Sequence, residues 1–151
     1  MNTKHRRAPK VNPKFAWYRL RVAKSSIHSW GLYALEDIPR GMRVIEYTGK
    51  RIPLSEALRI KSPSDIYLVH ISRGKLLDGR FFGSGAERIN HSCDPNLIYK
   101  RARGRLVYYS RRRIRAGEEL TFRYSYPINL TRIPCHCGAP NCRKVLRYIV
   151  E

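Results

Sequence analysis

Four cysteines carry the clearest chemistry in this sequence. Cys135, Cys137 and Cys142 lie together in "CHCGAPNC", and Cys93 stands about forty residues earlier in "RINHSCDPN". Cysteines clustered at such short gaps suggest a metal site, and four thiolates suit tetrahedral zinc, with sulfurs at roughly 2.3 Å and no position left open for a substrate. Such an ion is structural: it ties a C-terminal tail with little apolar core of its own to the loop after Asn90 and His91. Two disulfides, or unrelated thiols, are the alternative, and a reducing compartment disfavours them. By its Asn, Asp, Ser and Pro content the stretch 88–96 reads as a solvated turn. Cys93 is a poor turn former, and the quartet gives its sulfur a use.

The elements that must position these groups are mostly strands. Runs at 17–23, 43–49, 67–72, 75–79, 96–101, 105–110 and 119–124 alternate with period two. "RARGRL" places a glycine between two of them, as a hairpin requires, and "IPRG" and "IRAGEE" supply turns. Only "LSEALRI", residues 54–60, has a helical pattern. The fold class is therefore mainly β, in small sheets, without internal repeats.

At 151 residues the chain has room for one domain. It contains no apolar run approaching the ~20 residues of a membrane span, and its basic N-terminus lacks the apolar core of a secretory signal. The expectation is an intracellular protein. Thirty-one Lys and Arg against eleven Asp and Glu give a net charge of +20, clustered in "KHRR", "YKRARGR" and "SRRRIR". Such a field attracts polyanions, so nucleic acid or a nucleic-acid-bound complex is an expected neighbour. No helix-turn-helix or zinc-finger pattern accompanies the charge. A supercharged surface without a specific partner is the plainer account.

Five motifs follow one another in a recognisable order: "SSIHSWGLYA" (25–34), "VIEYTG" (44–49), "RINHSCDPN" (88–96), "GEELTFRYSY" (117–126) and "CHCGAPNCRKVL" (135–146). In order and spacing they resemble the SET-domain lysine methyltransferases, over nearly the whole chain from about Ala16. The likeness is greatest to the trithorax-like branch, whose post-SET tail "PCxCGAxxCRKxL" is matched from Pro134 to Leu146. The resemblance implies several small β-sheets with a C-terminal pseudoknot and a zinc-bound post-SET tail. It divides the chain into a basic flexible tail (1–15), a SET domain (16–128) and a post-SET zinc-binding segment (129–151).

The implied activity is methyl transfer from S-adenosylmethionine to a lysine side chain, cofactor and protein entering a narrow channel from opposite faces. A neutral amine must attack, yet free lysine has a pKa of about 10.4, so the channel must desolvate it. Aromatic walls do so without offering a counter-ion. Among ten tyrosines, each ordinarily a packed strand residue, the resemblance selects Tyr124 as the catalytic tyrosine, Tyr47 as a second channel hydroxyl and Tyr67 as a cofactor contact lining the channel. Phe122 falls at a channel position where family members carry Tyr or Phe. The phenylalanine leaves space for a methylated amine to rotate, which implies dimethyl and trimethyl products.

The same resemblance assigns cofactor contacts to the Asn90 amide, the His91 backbone, backbone groups of His28 and Trp30, and His136 against the adenine. It threads Asn90-His91 through a loop formed by the segment before Tyr124. His91 as general base is the competing role, although buried histidines beside such motifs more often serve as hydrogen-bonded supports.

Three departures stand out. Ser29 occupies a position usually held by glycine, where a backbone needing positive φ would strain under a side chain. Glu87 and Arg88 stand where Arg and Phe are common. Arg123 replaces an aspartate, which fits poorly with an unaided, highly basic histone tail as substrate. The expected function is methylation of a histone or other nucleic-acid-associated basic protein, in the nucleus on chromatin or on a nucleoid. A non-catalytic SET-type zinc module that binds nucleic acid or chromatin is the alternative, and a plain DNA-binding zinc protein leaves the tyrosines unexplained.

Overall fold

The computed structural model describes residues 9–60, 67–124 and 133–146. Residues 1–8 of the expected tail and the expected junction at 128/129 lie outside the described residues.

Four small sheets surround one main core. β1 (Leu20–Lys24), β2 (Trp30–Ala34), β10 (Glu119–Phe122) and β7 (Asn90–His91) form one sheet in the order β1-β2-β10-β7. β3 (Arg43–Tyr47), β9 (Arg105–Ser110) and β8 (Leu97–Ala102) form a second, in the order β3-β9-β8. β4 (Lys50–Pro53), β6 (Lys75–Asp78) and β5 (Leu68–Ser72) form a third, and β11 (Ile133–Pro134) pairs with β12 (Val145–Leu146) in the tail. Leu32, Ile38, Ile45, Leu106, Tyr108 and Leu120 are fully enclosed where the first two sheets meet.

The alternating runs locate β1, β3, β5, β6, β8, β9 and β10, with β1 starting at Leu20 and not at residue 17. β2 escapes the period-two pattern because it is central: it pairs with β1 on one side and β10 on the other, and Gly31, Leu32 and Ala34 are all buried. β7 is a two-residue polar strand in the stretch that reads as a solvated turn, and both of its residues are buried. It runs parallel to β10, Thr121 opposite Asn90 and Phe122 opposite His91. β4 ends in proline and buries only Ile52, a pattern too weak to read as a strand. The helix expected over 54–60 is only α1 (Leu54–Ala57), with Pro53 at its N-cap and no side-chain cap.

The β8–β9 hairpin turns as its glycine suggests, through Arg103 and Gly104 with φ of 53° and 71°. Two left-handed residues between paired strands suit the tight primed turn that follows sheet twist. The described part of the expected flexible tail is docked. Asn12 N–H donates to the Ser84 carbonyl at 2.8 Å and Val11 packs on the main core. Its apolar side chain has a place to bury there, which net composition hides.

Candidate active site and metal centre

The parallel pairing of β7 with β10 brings the polar segment 90–96 against the strand that leads to Tyr124. Asn90 Nδ2 lies 3.2 Å from the His28 carbonyl, 3.0 Å from that of Trp30 and 2.8 Å from Glu119 Oε1. Three residues expected at one cofactor site are thus in mutual contact. Ser29 between them has φ of 42°, the left-handed backbone its position was expected to need, and its carbonyl accepts from Ser25 N–H at 3.0 Å. The His28 side chain is exposed, and the Trp30 ring lies 4.1 Å from Lys24 Nζ.

Glu119 is the residue the sequence reading missed. Its carboxylate accepts from Asn90, from Ser25 Oγ at 2.8 and 2.9 Å, and from the Tyr33 hydroxyl at 3.2 Å. A Cβ on Gly31 would collide with this carboxylate. The available signal was a carboxylate on an otherwise apolar strand, "ELTF", where a buried charge must be paired.

A second group of residues forms an aromatic enclosure. The Tyr47 hydroxyl donates to the Tyr67 carbonyl at 2.5 Å, and the Tyr124 hydroxyl donates to the Ile89 carbonyl at 2.6 Å. With each O–H spent on a carbonyl, the phenol oxygens keep lone pairs for another donor. Burial pushes the Tyr47 pKa well above the ordinary phenol value, so this hydroxyl stays neutral. Phe122 lies 4.7 Å from the Tyr124 ring and 5.0 Å from that of Tyr108, and Tyr99 closes on Phe122 at 6.3 Å. Any side chain on Gly79 would meet the Tyr47 hydroxyl. Arg88 lays its guanidinium 5.1 Å from the Tyr67 ring centre and donates from Nη1 to the Tyr67 hydroxyl at 3.3 Å.

His91 joins this enclosure to the cysteines. Nδ1 accepts from the Tyr124 backbone N–H at 3.0 Å, which leaves the proton of a neutral ring on Nε2, 3.5 Å from Cys93 Sγ. Burial, then Arg123 and Arg143, pull its pKa down to about 4. With its acceptor nitrogen engaged by the backbone, the ring is a support and not a free base. Arg123 Nη2 donates to the Cys93 carbonyl at 2.7 Å, so the unexpected cation braces the metal loop.

The four cysteines are free thiols, with ligand atoms all within 4.8 Å of one another. Cys93 and Cys135 sulfurs are 3.9 Å apart, close to the ~3.8 Å edge of a tetrahedron with 2.3 Å bonds. Backbone N–H groups of Cys93, Arg143 and Lys144 point at sulfurs at 3.4–3.5 Å, as thiolate ligands require. The quartet could hold a metal ion. His136 sits between two of these cysteines with its side chain exposed.

A parallel polar strand beside the last core strand, an aromatic enclosure closed by two carbonyl-bound phenols and a four-sulfur tail describe one known class of domain. The SET domain family matches residues 29–125. The histone-lysine N-methyltransferase SETD1B of Xenopus tropicalis is 39% identical over 143 residues, covering 88% of this chain and 7% of that protein. The histone-lysine N-methyltransferase SETD1 of Drosophila melanogaster is 39% identical over 143 residues, 88% of this chain and 9% of its own length. The histone-lysine N-methyltransferase set1 of Dictyostelium discoideum is 37% identical over 138 residues, covering 85% and 9% respectively. Among solved structures, the methyltransferase domain of human histone-lysine N-methyltransferase SETMAR superposes with a TM-score of 0.77 at 29% identity, covering 92% of this chain and 61% of that one. The chain belongs to the SET-domain family. It spans less than a tenth of the length of these three curated relatives.

Proposed function

We propose that this chain is a protein-lysine N-methyltransferase, using S-adenosylmethionine to methylate a lysine of a histone or another nucleic-acid-associated basic protein. The observation that carries the reading is the pair of phenols, Tyr47 and Tyr124, whose hydroxyl protons are held by carbonyls in a closed aromatic enclosure. Their oxygens accept N–H from an incoming amine, and the aromatic walls favour its neutral form by excluding water. Two N–H contacts aim the remaining lone pair along the channel.

S-adenosylmethionine supplies an electrophilic methyl on sulfur, which a neutral amine attacks in line. The residues that would hold it are the His28 and Trp30 backbone, Asn90, Tyr67 and the His91 backbone, with His136 near the base. Their chemistry fits. Arg88 Nε, next to Tyr67, is buried without a hydrogen-bond partner among the described residues, a donor suited to a carboxylate. Zinc is the ion that best suits Cys93, Cys135, Cys137 and Cys142, because all four ligands are sulfur and the cluster leaves none for a substrate. His91 then joins metal and catalytic tyrosine through one ring. Phe122, lacking a hydroxyl, leaves the channel able to accept an amine that already carries a methyl group. The +20 charge suits a site of action on chromatin or a nucleoid, where phosphate neutralises both enzyme and substrate.

Tyr124→Phe tests the reading. Labelled methyl transfer to nucleosomes, free histones and basic chromosomal proteins should fall on the order of a hundredfold, the scale of one lost preorganised contact, while cofactor binding by calorimetry persists. A mutant that turns over at the parental rate with saturating substrates removes Tyr124 from catalysis.

A further inference from the structure

Tyr108 is fully buried, and its hydroxyl has no hydrogen-bond partner among the described residues. An unmade bond of this kind costs about 1–3 kcal/mol, and phenylalanine would fill the same space without that cost. The position of the ring says where a partner could be. On β9, Tyr108 stands opposite Ile45 of β3 and Tyr99 of β8. Tyr47 is two residues beyond Ile45 on the same strand, so strand alternation puts Tyr47, Tyr99 and Tyr108 on one face of the sheet. Tyr108 packs on Phe122 at 5.0 Å, and Phe122 on Tyr124 at 4.7 Å. The hydroxyl is therefore one ring behind the residue that lines the lysine channel. Burial and the neighbouring Tyr124 keep it protonated, able both to donate and to accept.

Resting on the methyltransferase reading above, we infer that the Tyr108 hydroxyl anchors a water at the closed end of the lysine channel, behind Phe122, and so limits how many methyl groups the channel admits. Phe122 makes room for a second methyl, and the water held by Tyr108 occupies the volume a third would need. The parent enzyme accordingly accumulates dimethyl-lysine and makes little trimethyl-lysine. Tyr108 is a specificity-determining residue in this scheme and makes no contact with the departing methyl.

Two measurements on the full chain test this. Mass spectrometry of histones and nucleosomes methylated with excess cofactor should show the trimethyl-to-dimethyl ratio rising about tenfold in Tyr108→Phe, the scale of releasing one ordered water. Phe122→Tyr should move products the other way, toward monomethyl-lysine. A high-resolution crystal structure of the parent should place a water about 2.8 Å from the Tyr108 hydroxyl. An unchanged product ratio in an active Tyr108→Phe enzyme, or a dry hydroxyl in the crystal, overturns the role of Tyr108 and leaves the methyltransferase reading standing. A parent that methylates none of these substrates overturns both.

Discussion

Glu87 shows how one departure from the family pattern is accommodated. Its carboxylate is largely buried, accepts from Gly85 N–H at 2.8 Å and reaches Arg88 Nε only at 3.9 Å. Burial raises its pKa above the ordinary carboxylate value despite these contacts. A carboxyl whose folded pKa exceeds its unfolded one favours the fold only when protonated, so ionisation at neutral pH works against folding. Glu87→Gln keeps an oxygen for Gly85 and removes the charge. Its midpoint in urea should exceed the parent's at pH 7, and the difference should vanish as the pH falls below about 4, where the free carboxyl is also protonated. Equal midpoints at pH 7 would show that Arg88 fully compensates the buried charge. Glu119 is the contrasting case, a carboxylate surrounded by hydroxyl and amide donors from three distant segments.

Two elements invite tests of their own. The β8–β9 turn places Arg103 at φ 53°, a left-handed conformation that favours asparagine or glycine over arginine. Arg103→Asn should therefore stabilise the protein by up to about 1 kcal/mol in chemical denaturation. No change would mean that the arginine side chain compensates for its backbone. In the tail, β11 and β12 are two-residue strands, and Cys135 N–H donates to the Lys144 carbonyl at 2.9 Å. So little pairing cannot hold a segment without the sulfur cluster. Elemental analysis should find one zinc per chain. Cys142→Ser, or chelation of the parent, should speed amide exchange at β11 and β12 and weaken cofactor binding, since His91 contacts both the Cys93 sulfur and the Tyr124 backbone. Cofactor affinity indifferent to zinc would disconnect the two sites.

For the molecule as a whole, the surplus of twenty positive charges is the dominant property of the surface. Several arginines are already occupied: Arg19 with Glu36, Arg105 with Glu46, Arg112 with Glu118 and Arg113 with Asp37. With eleven acids against thirty-one bases, most cations have no acid to pair with. Phosphate contacts release counterions, so duplex DNA should bind with little sequence preference and an affinity that falls steeply between low and physiological salt. A salt-independent affinity, or no binding at low salt, would remove the polyanion partner. No helix among the described residues is long and apolar enough to cross a membrane.

The sequence alone determined the cysteine quartet, the order of the five motifs, most of the alternating strands and the left-handed backbone at Ser29. These are local signals: spacing, period two and a glycine position filled by serine. The tertiary structure decided what depends on partners far apart in the chain. Ser25 and Glu119 meet across ninety-four residues, and Asn90 reaches back sixty-two to His28. β2 is enclosed on both sides and so loses the alternation that reveals an edge, while β7 looks like a turn because its polar side chains are satisfied by other strands and not by water. The same holds for Tyr108. Its type and strand could be read in advance, but an unpaired hydroxyl is a property of the surrounding atoms, and only packing brings those together.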